Sequence, residues 1–355
     1  MKNKEKHLII YVVEDEKAAQ FRYRVYNVIE TLGDSEKWEA DYYLNNEIAE
    51  VRKRTKKASI VVIERQAAKD SRILDFIDEV KSKGTKVLFD LDDLIFDYRD
   101  LFLLMRSTNS RNIFYWIAYL WGVRRIAKRV DGFLCTNEFL GQKLKRSFKK
   151  PYKVIRNSLN KEQITISDKC IKEKKSGKFS IGYFSGSPTH VKDFQMVERE
   201  LLRFLDECRD VELKVVGYMD FSDKMRELIK VGRVKEQGVV DYLELQKLMA
   251  SVDVNLAPLI VNDFTNCKSD LKFFESAVVE TVTIASPTYA FSKAIVDGEN
   301  GFLAGPNEWY NKLKYTYEHR DENKKIAKYA RGYAIEHYYG RKLLEEIEEA
   351  YDCFC

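Results

Sequence analysis

Short apolar runs rich in Val, Ile and Leu alternate with longer amphipathic stretches through most of the chain, and this alternation restricts the fold to parallel sheets wrapped by helices. HLIIYVV (7–13), ASIVVIE (58–64), TKVLFDL (85–91) and DGFLCT (131–136) read as strands of a first unit. Between them, KAAQFRYRVYNVIETLG (17–33) and DSRILDFIDEVKSKG (70–84) have helical periodicity, each closed by a Gly stop signal. The charged segment SDKCIKEKKSGK (167–178) breaks the pattern and reads as a linker. The alternation then restarts, with FSIGYFSG, VELKVVG, VDVNLAPL and TVTIASP as strands and VKDFQMVERELLRFLDE, DYLELQKLMAS and LKFFESAVVE as helices. From Asn307 onward the pattern is nearly all helical. A chain of 355 residues has room for two cores. The expected organisation is a domain over 1–166, a linker over 167–178, a second domain over 179–325, and helices over 326–355 packing back toward the first.

Composition removes several classes of protein. With 5 Pro and 16 Gly among 355 residues and 45% hydrophobic side chains, the chain is not disordered. The apolar run near the N-terminus stops at Glu14, too short to span a membrane, and reads as the first strand of a cytoplasmic protein. Six cysteines lack paired metal-ligand spacing, so they are expected to be reduced structural thiols, and no metal site is expected. There is no Walker-type G-K-[ST] and no complete G-x-G-x-x-G, which counts against ATPase and dehydrogenase readings.

Open α/β sheets bind ligands beyond the carboxyl ends of their strands. In the second unit that edge collects GYFSGSPTH, VGYMDF, LAPLIVNDFTNCKSD and ASPTYAF, whose Gly, Ser, Thr and Pro let backbone N–H groups face an anion. Within the last part of this set, Glu275 stands alone among Leu271, Phe273, Phe274, Ala277, Val278 and Val279. A buried acid needs partners for its oxygens.

IGYFSGSPTHVKDF (181–194), SVDVNLAPL (251–259), CKSDLKFFESAVVETVTIASP (267–287) and AIVDGENGFLAG (294–305) together resemble the donor domain of retaining, family 4-type GT-B glycosyltransferases. FRYRVYNVIETL (21–32), VLFDLDDLIFD (87–97) and LCTNEFL (134–140) resemble the first domain of bacterial glycan-assembly transferases of that class. The resemblance implies two Rossmann-like, doubly wound domains facing a central cleft, with C-terminal helices. It also implies transfer of a sugar, with retention, from a nucleotide-diphosphate-sugar donor to a growing, lipid-linked surface glycan.

By the same resemblance Glu275 takes the ribose hydroxyls of the nucleotide; the alternative is an intrahelical pair with Lys272. Lys192 and Lys268 would face the diphosphate, where leaving-group charge develops. Gly182, Gly186 and Ser187 would line the loop beneath it. His190 would donate to the sugar or a phosphate, or be a polar residue at a helix start. Family enzymes usually carry a second glutamate where this chain has Cys267, so backbone amides from Asn266 through Ser269 to Asp270 are expected to share that work. Arg22, Arg24, Asp92 and Asp93 fall on the acceptor side, with helix capping the alternative for the two aspartates. The nucleotide sugar is a co-substrate, and neither a cofactor nor a metal is expected. Cys267 also leaves open a catalytically silent GT-B subunit that binds nucleotide and scaffolds a partner transferase.

Residues 101–130 carry six Arg or Lys and no acid around Phe114, Tyr115, Trp116, Tyr119 and Trp121, and QKLKRSFKKPYK (142–153) is a second acid-free basic run. Residues 1–165 hold 33 basic against 24 acidic side chains. Such a mixture suits an anionic membrane surface at the inner face of the cell membrane; the alternative is a helix packed on the first sheet with its aromatics buried. Basic residues with aromatics also suit nucleic acid, but no recognition motif accompanies them, and no nucleic acid partner is expected.

Overall fold

The computed structural model describes residues 6–174, 177–186 and 190–355, which form two compact units. Of these, the first takes those within 1–160, 267–269 and 338–355, and the second those within 161–266 and 270–337.

In the first unit six parallel strands are ordered β2-β1-β3-β4-β5-β6: β1 His7–Val13, β2 Trp38–Leu44, β3 Ala58–Glu64, β4 Lys86–Leu91, β5 Gly132–Cys135 and β6 Tyr152–Val154. Central strands are buried on both faces, which is why β1 and β3 read as continuous apolar runs. The helix Arg341–Asp352 completes this core with Leu343, Ile347, Ala350 and Tyr351, and the Tyr351 hydroxyl is hydrogen-bonded to that of Tyr11 on β1.

In the second unit the order is β12-β11-β10-β7-β8-β9, again all parallel: β7 Ser180–Ser185, β8 Glu212–Gly217, β9 Val234–Gln237, β10 Val254–Ala257, β11 Val282–Ala285 and β12 Phe302–Leu303. The chain runs outward from β7 through β8 to β9, then returns to the other side of β7 with β10. The switch point of this sheet therefore lies between the carboxyl ends of β7 and β10, where open α/β sheets take their ligands. The helix Arg320–Tyr338 contributes Ile326 and Ala327 to this second core.

The segment expected to be a linker is not one throughout. Residues 161–173 are a single helix, Lys161–Glu173, whose inner face carries polar Gln163 and Ser167, both fully buried. Only its charged outer face was visible as a break in hydrophobic pattern. The unit boundary falls before it, after Asn160, and the two C-terminal helices divide between the units.

Candidate functional site

At the β7/β10 switch point the helix Val191–Glu207 begins at His190, with Lys192 exposed in its first turn. His190 Nδ1 lies 2.9 Å from Asp193 Oδ2, and the other carboxylate oxygen, Oδ1, accepts from the backbone N–H of Ile260 in the loop after β10, also at 2.9 Å. The Tyr183 hydroxyl, from β7, donates to the His190 carbonyl at 3.1 Å. One carboxylate thus ties the helix start to the loop across the switch point. Gly186 sits in open surroundings just past β7, whereas Ser187 lies outside the described residues. Gly182 does not line a loop at all. It is buried within β7, where a Cβ would come within 2.5 Å of the Phe184 ring, so its role is to make room for that ring.

A glycine that the sequence reading did not single out has a firmer part. Gly217 closes β8 with φ +106°, and a Cβ there would fall 1.6 Å from the Ser185 carbonyl oxygen. Only glycine lets the ends of β7 and β8 approach so closely.

Glu275 is on the helix Leu271–Ala277 and only 4% exposed. Its Oε1 accepts from Gln163 Nε2 at 3.3 Å, and its backbone carbonyl accepts from Gln246 Nε2 at 2.5 Å. Two buried glutamines from the helices Lys161–Glu173 and Tyr242–Ala250 therefore hold this acid in place. The Lys272 ammonium lies 4.7 Å from the centroid of the Tyr183 ring. Asn266 accepts from the Tyr289 N–H at 2.9 Å. Neither glutamine carried a signal in the sequence, since each reads as an ordinary polar helix position.

Residues Cys267–Ser269 are grouped with the first unit. There the Lys268 carbonyl accepts from Asn137 Nδ2 at 2.9 Å, Ser269 Oγ from Asn157 Nδ2 at 3.0 Å, and Cys267 is fully buried. The Lys268 ammonium lies 3.3 Å from Asp93 Oδ1, and Arg65 Nη1 bridges Asp93 Oδ2 at 2.9 Å and Asp92 Oδ1 at 3.0 Å. The expected diphosphate lysine is thus placed with the two expected acceptor-side aspartates, whose oxygens serve Arg65 and Lys268 and not a helix end. Burial works against ionisation of Asp93, but Lys268 and then Arg65 outweigh it and hold its carboxyl below the usual range.

Arg24 is not on a binding surface. It is 1% exposed, within the π-helical stretch Arg22–Tyr26, and its guanidinium pairs with Asp90 Oδ1 at 2.8 Å while also donating to the Ile155 carbonyl and to Asn157 Oδ1. Burial still raises the Asp90 carboxyl above its ordinary range, with Arg24 pulling the other way. Arg22 stacks its guanidinium 4.3 Å from the centroid of the Tyr23 ring.

In register with Asp90 across β3 and β4 stands Glu64, 1% exposed, whose Oε1 has no hydrogen-bond partner among the described residues. Burial, then the charges of Asp92 and Asp90, push its carboxyl up to about 9. Folding therefore binds a proton here that the unfolded chain, titrating near 4.5, has released. Between pH 4.5 and about 9 this group is expected to make stability fall as pH rises, by about 1.4 kcal/mol per unit. Urea denaturation across that window should show the slope in the wild type and lose it in Glu64→Gln; an unchanged slope in the variant would contradict the assignment.

The helix Ile113–Arg129 packs Leu120, Val123, Ile126 and Ala127 inward but leaves Phe114 (82% exposed), Tyr115 and Trp121 outward, as does the preceding helix Leu101–Ser107 with Phe102 (75%). The segment is thus packed inward along one side, with part of its aromatic surface exposed. Arg124 donates to the Phe96 carbonyl at 2.9 Å and Arg129 pairs with Asp78 at 3.2 Å, so two of its cations serve the fold. Among the described residues no helix is long and apolar enough to cross a membrane.

Residues 179–319, which include the whole second sheet, match the family described as Glycosyl transferases group 1. No curated protein matches the chain. Among solved structures it is similar to HepE of Anabaena in complex with UDP, at 14% identity over 99% of each chain and a TM-score of 0.65. It is also similar to sucrose-phosphate synthase of Thermosynechococcus elongatus, at 13% identity over 98% and 99% of the two chains with a TM-score of 0.67. A third is the catalytic domain of starch synthase IV of Arabidopsis thaliana bound to ADP and acarbose, at 10% identity over 98% and 99%, TM-score 0.67. At these identities the likeness is one of fold: two Rossmann-like α/β units of the GT-B type.

Proposed function

We propose that the protein is a glycosyltransferase that moves a sugar from a nucleoside-diphosphate-sugar donor, bound by the second unit, to a growing, lipid-linked surface glycan at the cytoplasmic side of the membrane. The observation that carries this reading is the coincidence of the region matching Glycosyl transferases group 1 with the β7/β10 switch point, where Gly186, His190 and Lys192 gather. Structures of the HepE neighbour in complex with UDP and with UDP-glucose support the donor class. In this reading Lys192 and His190 meet the diphosphate and stabilise the charge that develops as the glycosidic bond breaks. Glu275, kept rigid by Gln163 and Gln246, accepts from the ribose hydroxyls. Transfer proceeds with retention, the departing phosphate oxygen taking the acceptor proton, and without a metal. Arg65 and Lys268 already neutralise the DLDD carboxylates Asp92 and Asp93, which in this reading contact the acceptor.

A thermal-shift panel of nucleoside diphosphates and nucleotide sugars tests the donor. A ligand bound only by the folded state should stabilise it by about 2.7 kcal/mol at 100 times its dissociation constant; no shift with any member would remove the reading. A second reading, a nucleotide-binding scaffold without turnover, draws on Cys267 standing buried where the resembled enzymes carry a glutamate. Release of free nucleoside diphosphate during incubation with membranes separates the two.

The outward Phe102, Phe114, Tyr115 and Trp121, on a segment that also carries Arg111, Arg125 and Lys128, support docking on an anionic membrane, where each cation near the surface adds about 1 kcal/mol. Co-sedimentation with anionic liposomes is expected to weaken as salt rises and to drop when Arg111, Arg125 and Lys128 are replaced together. Arg124 and Arg129 are left intact in that variant because they hold the fold. Binding that ignores both salt and these replacements would refute a peripheral membrane role.

A further inference from the structure

His190 and Asp193 form a pair whose geometry fixes more than their proximity. An ionised carboxylate can only accept hydrogen bonds. Asp193 uses Oδ1 for the Ile260 N–H and Oδ2 for His190 Nδ1, each at 2.9 Å, so the proton between Asp193 and the ring must sit on Nδ1. Asp193 is itself 8% exposed, and its backbone belongs to the first turn of a 17-residue helix. The Ile260 bond ties the same carboxylate to the opposite side of the switch point, and the Tyr183 hydroxyl holds the His190 backbone from β7.

We propose that Asp193 is the positioning residue of the donor site: it locks His190 in the Nδ1–H form and so assigns Nε2 as the nitrogen that meets an anionic phosphate. This rests on the donor-site reading above. When a diphosphate arrives, Nε2 takes a proton from solvent and donates it as a charge-assisted hydrogen bond to a phosphate oxygen, with Asp193 balancing the imidazolium from the other side of the ring. Among the described residues, Lys192 stands on the same helix as the pair, Tyr183 on β7 holds the His190 backbone, and Lys272 lies over the Tyr183 ring. Burial raises the Tyr183 phenol well above its ordinary range, so it stays neutral throughout the titration of a histidine.

Asparagine at 193 offers one acceptor oxygen where two N–H donors need one each. Asp193→Asn must therefore either give up Ile260 or turn an N–H toward the ring, which selects the opposite tautomer. The chain has only four histidines, His7, His190, His319 and His337, so nitrogen-15 NMR of the full-length, histidine-labelled protein resolves the ring, with His190→Gln identifying its signals. The probe is inorganic pyrophosphate, which carries the anionic chemistry without a base or sugar.

The wild type is expected to show His190 as Nδ1–H, with a tenfold or larger rise in its proton affinity on adding pyrophosphate. Asp193→Asn should show a mixed or reversed tautomer and most of that rise lost, at a melting temperature within a few degrees of the wild type. A wild-type His190 in the Nε2–H form overturns the proposal, and this is read without any variant. An Asp193→Asn protein with unchanged tautomer and unchanged response to pyrophosphate overturns it too. Failure of pyrophosphate to bind the wild type would instead overturn the donor-site reading, and the proposal with it.

Discussion

Lys192→Ala is expected to lower the rate of nucleoside diphosphate release by on the order of 10²–10³ and to leave the melting temperature nearly unchanged. The lysine is exposed in the first turn of the helix Val191–Glu207, at the switch point, whereas the core face of that helix is made by Phe194, Val197, Leu201 and Phe204. An exposed side chain away from the core contributes little to stability, within about 0.5 kcal/mol. A cation aimed at a leaving diphosphate contributes mostly where charge develops. Steady-state kinetics and calorimetry on the same preparation separate the two effects. A variant that keeps most of its activity would take Lys192 out of the site.

Arg24→Met should destabilise the protein by about 3–5 kcal/mol, the cost of leaving a buried charge without its partner. Both members of the Arg24–Asp90 pair are about 2% exposed, and the guanidinium also serves the Ile155 carbonyl and Asn157. Protonation relieves the orphaned Asp90, so the deficit should shrink as pH falls through the range where that raised carboxyl titrates. The double variant Arg24→Met/Asp90→Leu removes both charges and should recover a large part of the loss. Urea denaturation of the two single variants and the double variant at several pH values makes the comparison. A single variant as stable as the wild type would show that the pair is not the anchor of this core.

Much of the fold was legible in the sequence because central parallel strands are buried on both faces and appear as unbroken apolar runs. HLIIYVV coincides with β1 and ASIVVIE with β3, and VKDFQMVERELLRFLDE coincides with the helix Val191–Glu207. The strands that escaped are the edges of the two sheets. WEADYYL of β2 and VKEQ of β9 keep most of their side chains at least partly exposed, and β12 has two residues, so none needs an apolar run.

The same physics limited the site. Arg24 read as an acceptor-side cation and Lys268 as a diphosphate lysine because a sequence shows the charge and not the carboxylate that meets it; Asp90 and Asp93 lie 66 and 175 positions away. Gly182 read as a phosphate-loop glycine because glycine records a need for space and not its cause. Asp193 did carry a signal, three residues after His190 on a helix, where the two side chains share a face. Gln163 and Gln246 carried none.

The central claim, that the second unit binds a nucleoside diphosphate through Glu275, is tested most directly by calorimetric titration of wild type and Glu275→Gln with a nucleoside diphosphate and its 2′,3′-dideoxy analogue. If the carboxylate accepts from the ribose hydroxyls, the substitution should weaken the full nucleotide by about 1.5–3 kcal/mol and the dideoxy form much less, because the groups Glu275 addresses are then absent. The difference between those two losses is the coupling energy of the cycle. A clear coupling of that size is the result this account predicts, and a coupling indistinguishable from zero, with Glu275→Gln altering only stability, would contradict it.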